Sequence, residues 1–591
     1  MTKSLVFSLD NHNFQKDKDI LLAGEWVLEC SNKKTESLNY DIFYSTSDMK
    51  KQRITNSINS NKIYQNILKD LSIKLNEVHA LNLGLRSWKI LLGPWLKRFV
   101  DLCYQKDFIL NEILNNQNIS KVYGIKNENC KLYSNDTYAI HPNSRDILWN
   151  NNIFLNIINF YDYKLEKNFI TVSNEKDLVE EYNNSVKLNI SILKKIIFSS
   201  FNFLSFLRNK NDALIVGTGM SFKYEKLFEL LFFQIPQFYK PWEIFYKKYD
   251  EKLRENIKLS YDKKNKNIEN FIRKNLHRFI PICFVESFKN IFENCEKSFP
   301  SKPKFIITGV NHDFNEIFKS YTAKKVNEGV PYFTLQHGST YFTEDFVLNR
   351  CEYETSDKFF TFGHSKETFC ESFGNINVLG KSFNYKKNGL LNLLAPPMLG
   401  LFFPYDRNQE FLRSFELINQ FEKKISPDLR KKVLLRIHSN FKTNRGKYFK
   451  DKYLKNFLDN EVDYREIKYS DFLLNSRVNL FFFDSTGILE NLLYNIPTIA
   501  IWTNKPELIY NHISDEFIEK YNLLKEAKII FHDMDEMIAH LVKYWDNIDD
   551  WWLSDKTQSN IKEFNKNFNV KSNFFSLFKL KKTIKNYSKV K

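Results

Sequence analysis

Along this chain, short apolar runs that stop at a glycine or an ionisable side chain alternate with stretches whose apolar residues recur at helical spacing. Residues 331–335 are apolar and end in Gln336, His337 and Gly338, then Ser339 and Thr340. Residues 433–437 repeat the layout and end in Arg436 and His438. Residues 479–483 do so again, ending in Asp484, Ser485, Thr486 and Gly487. Continuous apolar runs of this length are the pattern of strands buried on both faces, and open parallel sheets hold ligands at their carboxyl ends. Three such ends, each delivering donors or acceptors, predict one site assembled across a sheet or between two sheets.

The same reading places strands at residues 4–9, 20–26 and 41–44 and a helix over 57–81. A further segment over 87–96 leads into a helix ending near residue 104, with Gly93-Pro94 as a boundary. Residues 131–300 read as mostly helical, with strands at 169–172 and 213–219. The second of these ends in Gly217-Thr218-Gly219, without the third glycine of a dinucleotide fingerprint. From Lys304 the rhythm becomes regular: strands at 305–309, 332–335 and 359–363, with a helix over 314–328. After a linker at 386–389 come strands at 390–394, 433–438, 479–484 and 497–502, with helices over 409–424 and 488–494. Strands and helices alternating in this way predict an α/β chain of two Rossmann-like units, their parallel sheets facing a cleft, with helical insertions in the N-terminal half. The expected divisions are 1–385, 386–545 and a C-terminal segment 546–591.

Composition narrows the class. At 591 residues the chain exceeds one core, and 43% hydrophobic with 16% aromatic content excludes a disordered protein. Seven cysteines without a CxxC pair read as reduced thiols and give no zinc pattern. The start of the chain lacks the apolar core of a signal peptide, and the apolar stretches 196–207 and 390–403 fall short of a bilayer span of ~20 residues. The expectation is a cytoplasmic protein. The net charge of +17 is carried largely by lysine without a nucleic-acid-binding module, so a solvated surface is the first reading and attraction to anionic membranes or glycans the second.

The candidate chemistry sits at the three strand ends. His337 titrates in the range that suits a general base. Arg436 and His438 suit a phosphate, the guanidinium by a bidentate fork. Ser485, Thr486 and Gly487 open a helix whose free amides and dipole attract an anion, although the same residues are good N-caps. Asp484 and Glu490 are candidates for a ribose hydroxyl. No carboxylate or histidine cluster has metal-ligand spacing, so no metal and no cofactor beyond the donor substrate is expected.

The order Gln-His-Gly, then Arg-x-His, then Asp-Ser-Thr resembles GT-B-fold transferases that release CMP, the sialyl-, Kdo- and CDP-glycerol transferase type. Ser439 stands where that pattern usually has proline. A longer match covers nearly the whole chain. Residues 22–26, 88–96, 281–286, 335–338, 486–490 and 495–499, with Trp551-Trp552, resemble a family of transferases encoded in bacterial O-antigen and surface-polysaccharide gene clusters. The chain departs from that family where Gly338 is followed by Ser339-Thr340-Tyr341-Phe342 rather than Gly-x-Tyr-Gly. The resemblance implies a GT-B-like, metal-independent glycosyltransferase using a nucleotide-sugar, with a CMP-activated ulosonic acid as donor and a glycan or lipid-linked glycan as acceptor. His337 and Glu25 would be catalytic. Gln336, Gly338, Arg436, His438, Asp484, Ser485, Thr486, Gly487 and Glu490 would bind the donor, and Trp26, Trp88, Trp95 and Glu286 would shape the acceptor side. Transfer of a polyol phosphate from a CDP donor on the same fold, and a non-catalytic binding subunit, remain open alternatives at this point.

The last stretch changes character. From residue 569 onward seven lysines occur without an acid, interleaved with Phe574, Phe575, Leu577, Phe578 and Leu580. Two readings follow: a basic aromatic anchor at the inner membrane, or a tail packed on the fold with its lysines solvated.

Overall fold

The computed structural model describes residues 2–30, 39–127, 130–172, 209–237, 244–339, 351–363, 367–396, 408–438, 444–502 and 515–590, with single positions 239, 341, 365 and 441. The apolar stretch 196–207, Thr340, Phe342, Ser439 and Lys591 lie outside the described residues.

Three parallel sheets organise the chain. The first holds β1 (Lys3–Val6), β2 (Ile20–Leu22), β3 (Asp41–Ile42), β4 (Ile119–Lys126) and β5 (Glu166–Thr171), in the order β3-β2-β1-β4-β5. The second holds β6 (Leu214–Ile215), β7 (Ile306–Thr308), β8 (Tyr332–Leu335), β9 (Lys358–Thr361) and β10 (Cys370–Ser372), each beside the next in sequence. The third holds β11 (Leu390–Leu394), β12 (Val433–Arg436), β13 (Val462–Asp463), β14 (Ser476–Phe481), β15 (Thr498–Ile501) and β16 (Ile530–Phe531), in the order β13-β12-β11-β14-β15-β16. Every strand pair is parallel. The α/β class with parallel sheets is therefore as the apolar runs predict. The architecture differs from two units in one respect, because residues 1–385 contain two sheets. Strand β4, central to the first sheet, was hidden from the pattern because Lys121, Gly124 and Lys126 interrupt its apolar run.

The third sheet has the doubly wound order, and its winding reverses between β11 and β14, which lie side by side. The crevice beyond those two strand ends is where such sheets bind ligands. The middle sheet shows why its strands read as unbroken apolar runs. Leu214, Ile306 and Tyr332 face the core shared with the first sheet. Their neighbours Ile215, Ile307 and Phe333 face the core that continues into the third sheet. Both faces of the pleat are buried, so both must be apolar.

Helix Leu85–Asn116 corrects the expected break at Gly93-Pro94, since Pro94 lies inside it. Twenty-two of its residues are buried, and packing on that scale outweighs the ~3 kcal/mol cost of an internal proline. Gly93 is there for contact rather than as a boundary. A Cβ at that position would meet Cys351 Sγ at 2.9 Å and the Tyr64 hydroxyl at 3.0 Å.

The C-terminal segment returns to the middle sheet through helices Asp549–Trp552, Asp555–Phe568 and Phe574–Val590. Asn375 N donates to Val570 O at 2.8 Å, Thr583 Oγ1 to Glu371 Oε1 at 2.7 Å and the Tyr587 hydroxyl to Asp357 Oδ1 at 2.8 Å. Leu577, Leu580 and Ile584 form the buried inner face of the last helix. Its outer face is different: Phe575 is 76% exposed, and Phe574 and Phe578 are also exposed. All seven cysteines are free thiols. Among the described residues, no helix is long and apolar enough to cross a membrane.

Candidate active site

The carboxyl ends of β8 and β14 meet. β8 runs directly into Gln336, whose side chain brackets the turn that follows. Its amide nitrogen donates to Gly338 O at 2.8 Å, and its oxygen accepts from Phe362 N at 2.8 Å. Both polar ends of Gln336 are thus used to hold His337 and Gly338 in place. On the other side, Ser485 caps helix Thr486–Tyr494 by accepting from Gly487 N at 3.2 Å. The Thr486 hydroxyl accepts from Ser339 N at 2.9 Å, and Gly338 is close enough that a Cβ there would touch that hydroxyl at 3.7 Å. Asn377 extends the seam. Its Nδ2 donates to the His337 carbonyl at 3.3 Å, and its side chain also hydrogen-bonds Glu490. Burial raises the pKa of the Glu490 carboxyl despite Asn377 and the nearby Lys381.

His337 is half-buried at the head of a polar chain. Its Nδ1 lies 3.1 Å from the Tyr341 hydroxyl, which donates to Glu352 Oε1 at 2.5 Å. The imidazole is thus held on one side by the Tyr341–Glu352 pair and also meets the Gly309 carbonyl. His312 Nε2 lies 3.6 Å from the same Glu352 oxygen, and the two imidazoles are 5.8 Å apart. Burial and His312 together lower the pKa of His337, while Glu352, Asp313 and the Gly309 carbonyl act in the opposite direction. Asp313 is gripped by Arg98 through two bonds of 2.6 and 2.8 Å. Burial alone would raise its pKa, but Arg98 outweighs burial and holds it at about 2.

Sequence reasoning missed four members of this cluster: Tyr341, Glu352, His312 and Arg98. His312 follows the glycine that ends β7, so the strand-end signal used for His337 applied there as well. Glu352 and Arg98 carried no local signal, because they reach the cluster from helices Cys351–Thr355 and Leu85–Asn116.

The remaining predicted residues fall into separate settings. Arg436 donates through Nη1 to Asp463 and to Ile467 O at 3.0 Å, and its guanidinium packs over Phe472. Asp463 already matches its charge, which corrects the expectation of a guanidinium held ready for phosphate. Arg436 stays close to the crevice, since Tyr469 is a neighbour of both Arg436 and Gly487. His438 lies just past the end of β12, where its carbonyl accepts from Phe441 N. Asp484 is buried and receives the Tyr521 hydroxyl at 3.3 Å.

Glu25 pairs with Lys452 at 2.6 Å and joins the first sheet to helix Asn444–Tyr453. That ion pair, rather than the His337 cluster, is its setting. The acceptor-side residues are corrected outright. Trp26, Trp88 and Trp95 are 6%, 0% and 2% exposed, and each stacks within the core, on Phe154, Phe288 and Phe99 respectively. No sugar can reach their faces. Glu286 is also buried, in a two-bond pair with Arg254 at 2.6 and 3.0 Å. These motifs are specific because they pack, not because they bind. Among the described residues, no group of three or more His, Cys, Asp or Glu side chains is placed to hold a metal ion.

No curated protein matches the chain. Among the solved structures that align with part of it are two of a rhamnosyltransferase. "Spinosyn Rhamnosyltransferase SpnG" matches at 8% identity over 50% of this chain and 78% of that one, with a TM-score of 0.24. The structure of the same name "complexed with spinosyn aglycone" matches at 9% identity over 46% and 74%, with a TM-score of 0.21. Superpositions of that quality carry no weight for function. The family match is of another order: the model described as LIC12162 family transferase covers residues 3–584. The chain belongs to the LIC12162 family of transferases.

Proposed function

We propose that this transferase is a GT-B-type glycosyltransferase of bacterial surface-polysaccharide assembly, moving a CMP-activated ulosonic acid onto a glycan acceptor. The observation that supports it best is the His337–Tyr341–Glu352 chain, set across one seam from the N-terminus of helix Thr486–Tyr494. In this reading the His337 imidazole takes the proton of the acceptor hydroxyl as that oxygen bonds to the anomeric carbon. The bond from that carbon to the donor phosphate breaks, and its electron pair leaves on the phosphate oxygen. Tyr341 and Glu352 orient the ring and stabilise the imidazolium that forms. The amides around Gly487, the hydroxyls of Ser485 and Thr486, and Lys381 carry the leaving phosphate's charge without a metal ion. Glu490 and Asp484 are offered to the nucleoside. Glu25 is proposed to fix the first sheet on the third and is withdrawn from the chemistry.

The proposed location is the cytoplasmic side of the membrane carrying a lipid-linked acceptor. The packed C-terminal helix supports this, since it exposes Phe574, Phe575 and Phe578 and also carries Lys581 and Lys582. Turnover in His337→Ala tests the catalytic assignment.

A further inference from the structure

A cavity of about 520 Å³ opens at the carboxyl ends of β6 and β7, on the sheet that carries His337. Its volume lies within the ~300–1,000 Å³ typical of small-molecule sites. One helix joins it to the catalytic cluster. Asn311 and Phe314, the first and last residues of helix Asn311–Phe314, line the cavity, while His312 and Asp313 between them stand in the His337 group. The walls are aromatic, with Tyr239, Tyr246 and Phe299 beside Phe314, and Tyr239 and Phe299 meet edge to face at 5.3 Å. Two carboxylates complete the lining. Asp136 receives the Tyr246 hydroxyl at 3.0 Å, and Glu316 receives Thr137 N at 3.0 Å. Lys319, also 3.0 Å from Glu316, offsets only one of the two charges.

That balance selects the ligand. A phosphate or nucleotide would meet a surplus of negative charge. A neutral sugar would lay its C–H faces on the rings and give its hydroxyl protons to the carboxylate oxygens, which only accept. We infer that this cavity binds an uncharged pyranose of the acceptor glycan, delivering its hydroxyl toward His337. The inference rests on the glycosyl-transfer reading and replaces the buried tryptophans as the acceptor surface.

The test is saturation-transfer NMR on the full chain with the methyl pyranosides of glucose, galactose, mannose, rhamnose and N-acetylglucosamine, alongside CMP as a nucleotide probe. At least one glycoside should receive saturation. Asp136→Asn, which is isosteric, and Tyr246→Phe, which removes only the hydroxyl, should each reduce that transfer about tenfold while CMP binding is unchanged. If no glycoside is saturated, or if both variants saturate like wild type, the cavity is not a sugar site. Glycoside binding without CMP binding would count against the donor reading and leave the pocket standing, so the two failures are distinguishable.

Discussion

Ser339 N donates to the Thr486 hydroxyl at 2.9 Å, joining the strand end that carries His337 to the helix N-terminus that opposes it. One hydroxyl from the helix that follows β14 therefore fixes the position of the His337 turn. Ser339 is 4% exposed, so its amide has no solvent to turn to if that hydroxyl is removed.

Thr486→Val should accordingly cost ~1–3 kcal/mol, the penalty for an orphaned buried donor. It should also weaken nucleotide binding, while Thr486→Ser, which keeps the hydroxyl, should restore both. Thermal denaturation with and without CMP measures the two effects together. A Thr486→Val protein with wild-type melting temperature and CMP shift would show that the hydroxyl joins nothing of consequence.

The pKa of His337 gives a signed prediction about pH. Burial and His312 place it below the usual 6.5, so the base is already neutral at pH 7 and the acidic limb of kcat/KM should lie below pH 6.5. The Glu352 charge pulls the other way, by favouring the imidazolium. Glu352→Gln therefore removes a raising influence and should move the limb to still lower pH. Turnover at pH 7.5 should fall on the order of tenfold, a change of ~1.4 kcal/mol in the barrier. A limb that moved upward in Glu352→Gln would mean that a different group titrates.

Much of this arrangement was legible in the sequence, for a physical reason. Strands buried on both faces are largely apolar, so residues 332–335 and 390–394 were placed to the residue, and the polar ends of the strands at 332–335 and 479–484 marked the seam. The strands at 41–44 and 213–219 were read where Asp41–Ile42 and Leu214–Ile215 lie, but the division of residues 1–385 into two sheets was not legible, because the central strand Ile119–Lys126 has its apolar run broken by Lys121, Gly124 and Lys126. The tryptophan motifs misled for a related reason. Trp88 is wholly buried, and its indole nitrogen donates to Asn76 Oδ1 at 2.9 Å, a need of packing that looks in sequence like a ligand's. Arg436 and Glu286 misled because their partners, Asp463 and Arg254, are 27 and 32 residues away.

The exposed aromatic face of the last helix predicts membrane binding of a particular kind. Phe233, 90% exposed and held at φ 58°, sits beneath the Lys581 ammonium at 4.9 Å, so it joins Phe574, Phe575 and Phe578 in one basic aromatic surface. A second copy of the chain would bring like charges together there, whereas an anionic bilayer gains ~1 kcal/mol per lysine. The protein should co-sediment with phosphatidylglycerol-containing vesicles and not with phosphatidylcholine alone, and salt should release it. Phe233→Ser with Phe575→Ser should abolish the binding without unfolding the chain, since both rings are already in solvent. Equal sedimentation of the variant and wild type would remove the surface from the account.

The central claim is that His337 takes the acceptor's proton. Purified protein given CMP-, CDP-, UDP- and GDP-linked donors, with glycan acceptor, should release the nucleotide of one of them, CMP in this account. His337→Ala should lower that turnover ~10²–10⁴-fold while the donor's affinity, read by thermal shift, stays within a factor of about two. Wild-type turnover in His337→Ala would contradict the claim.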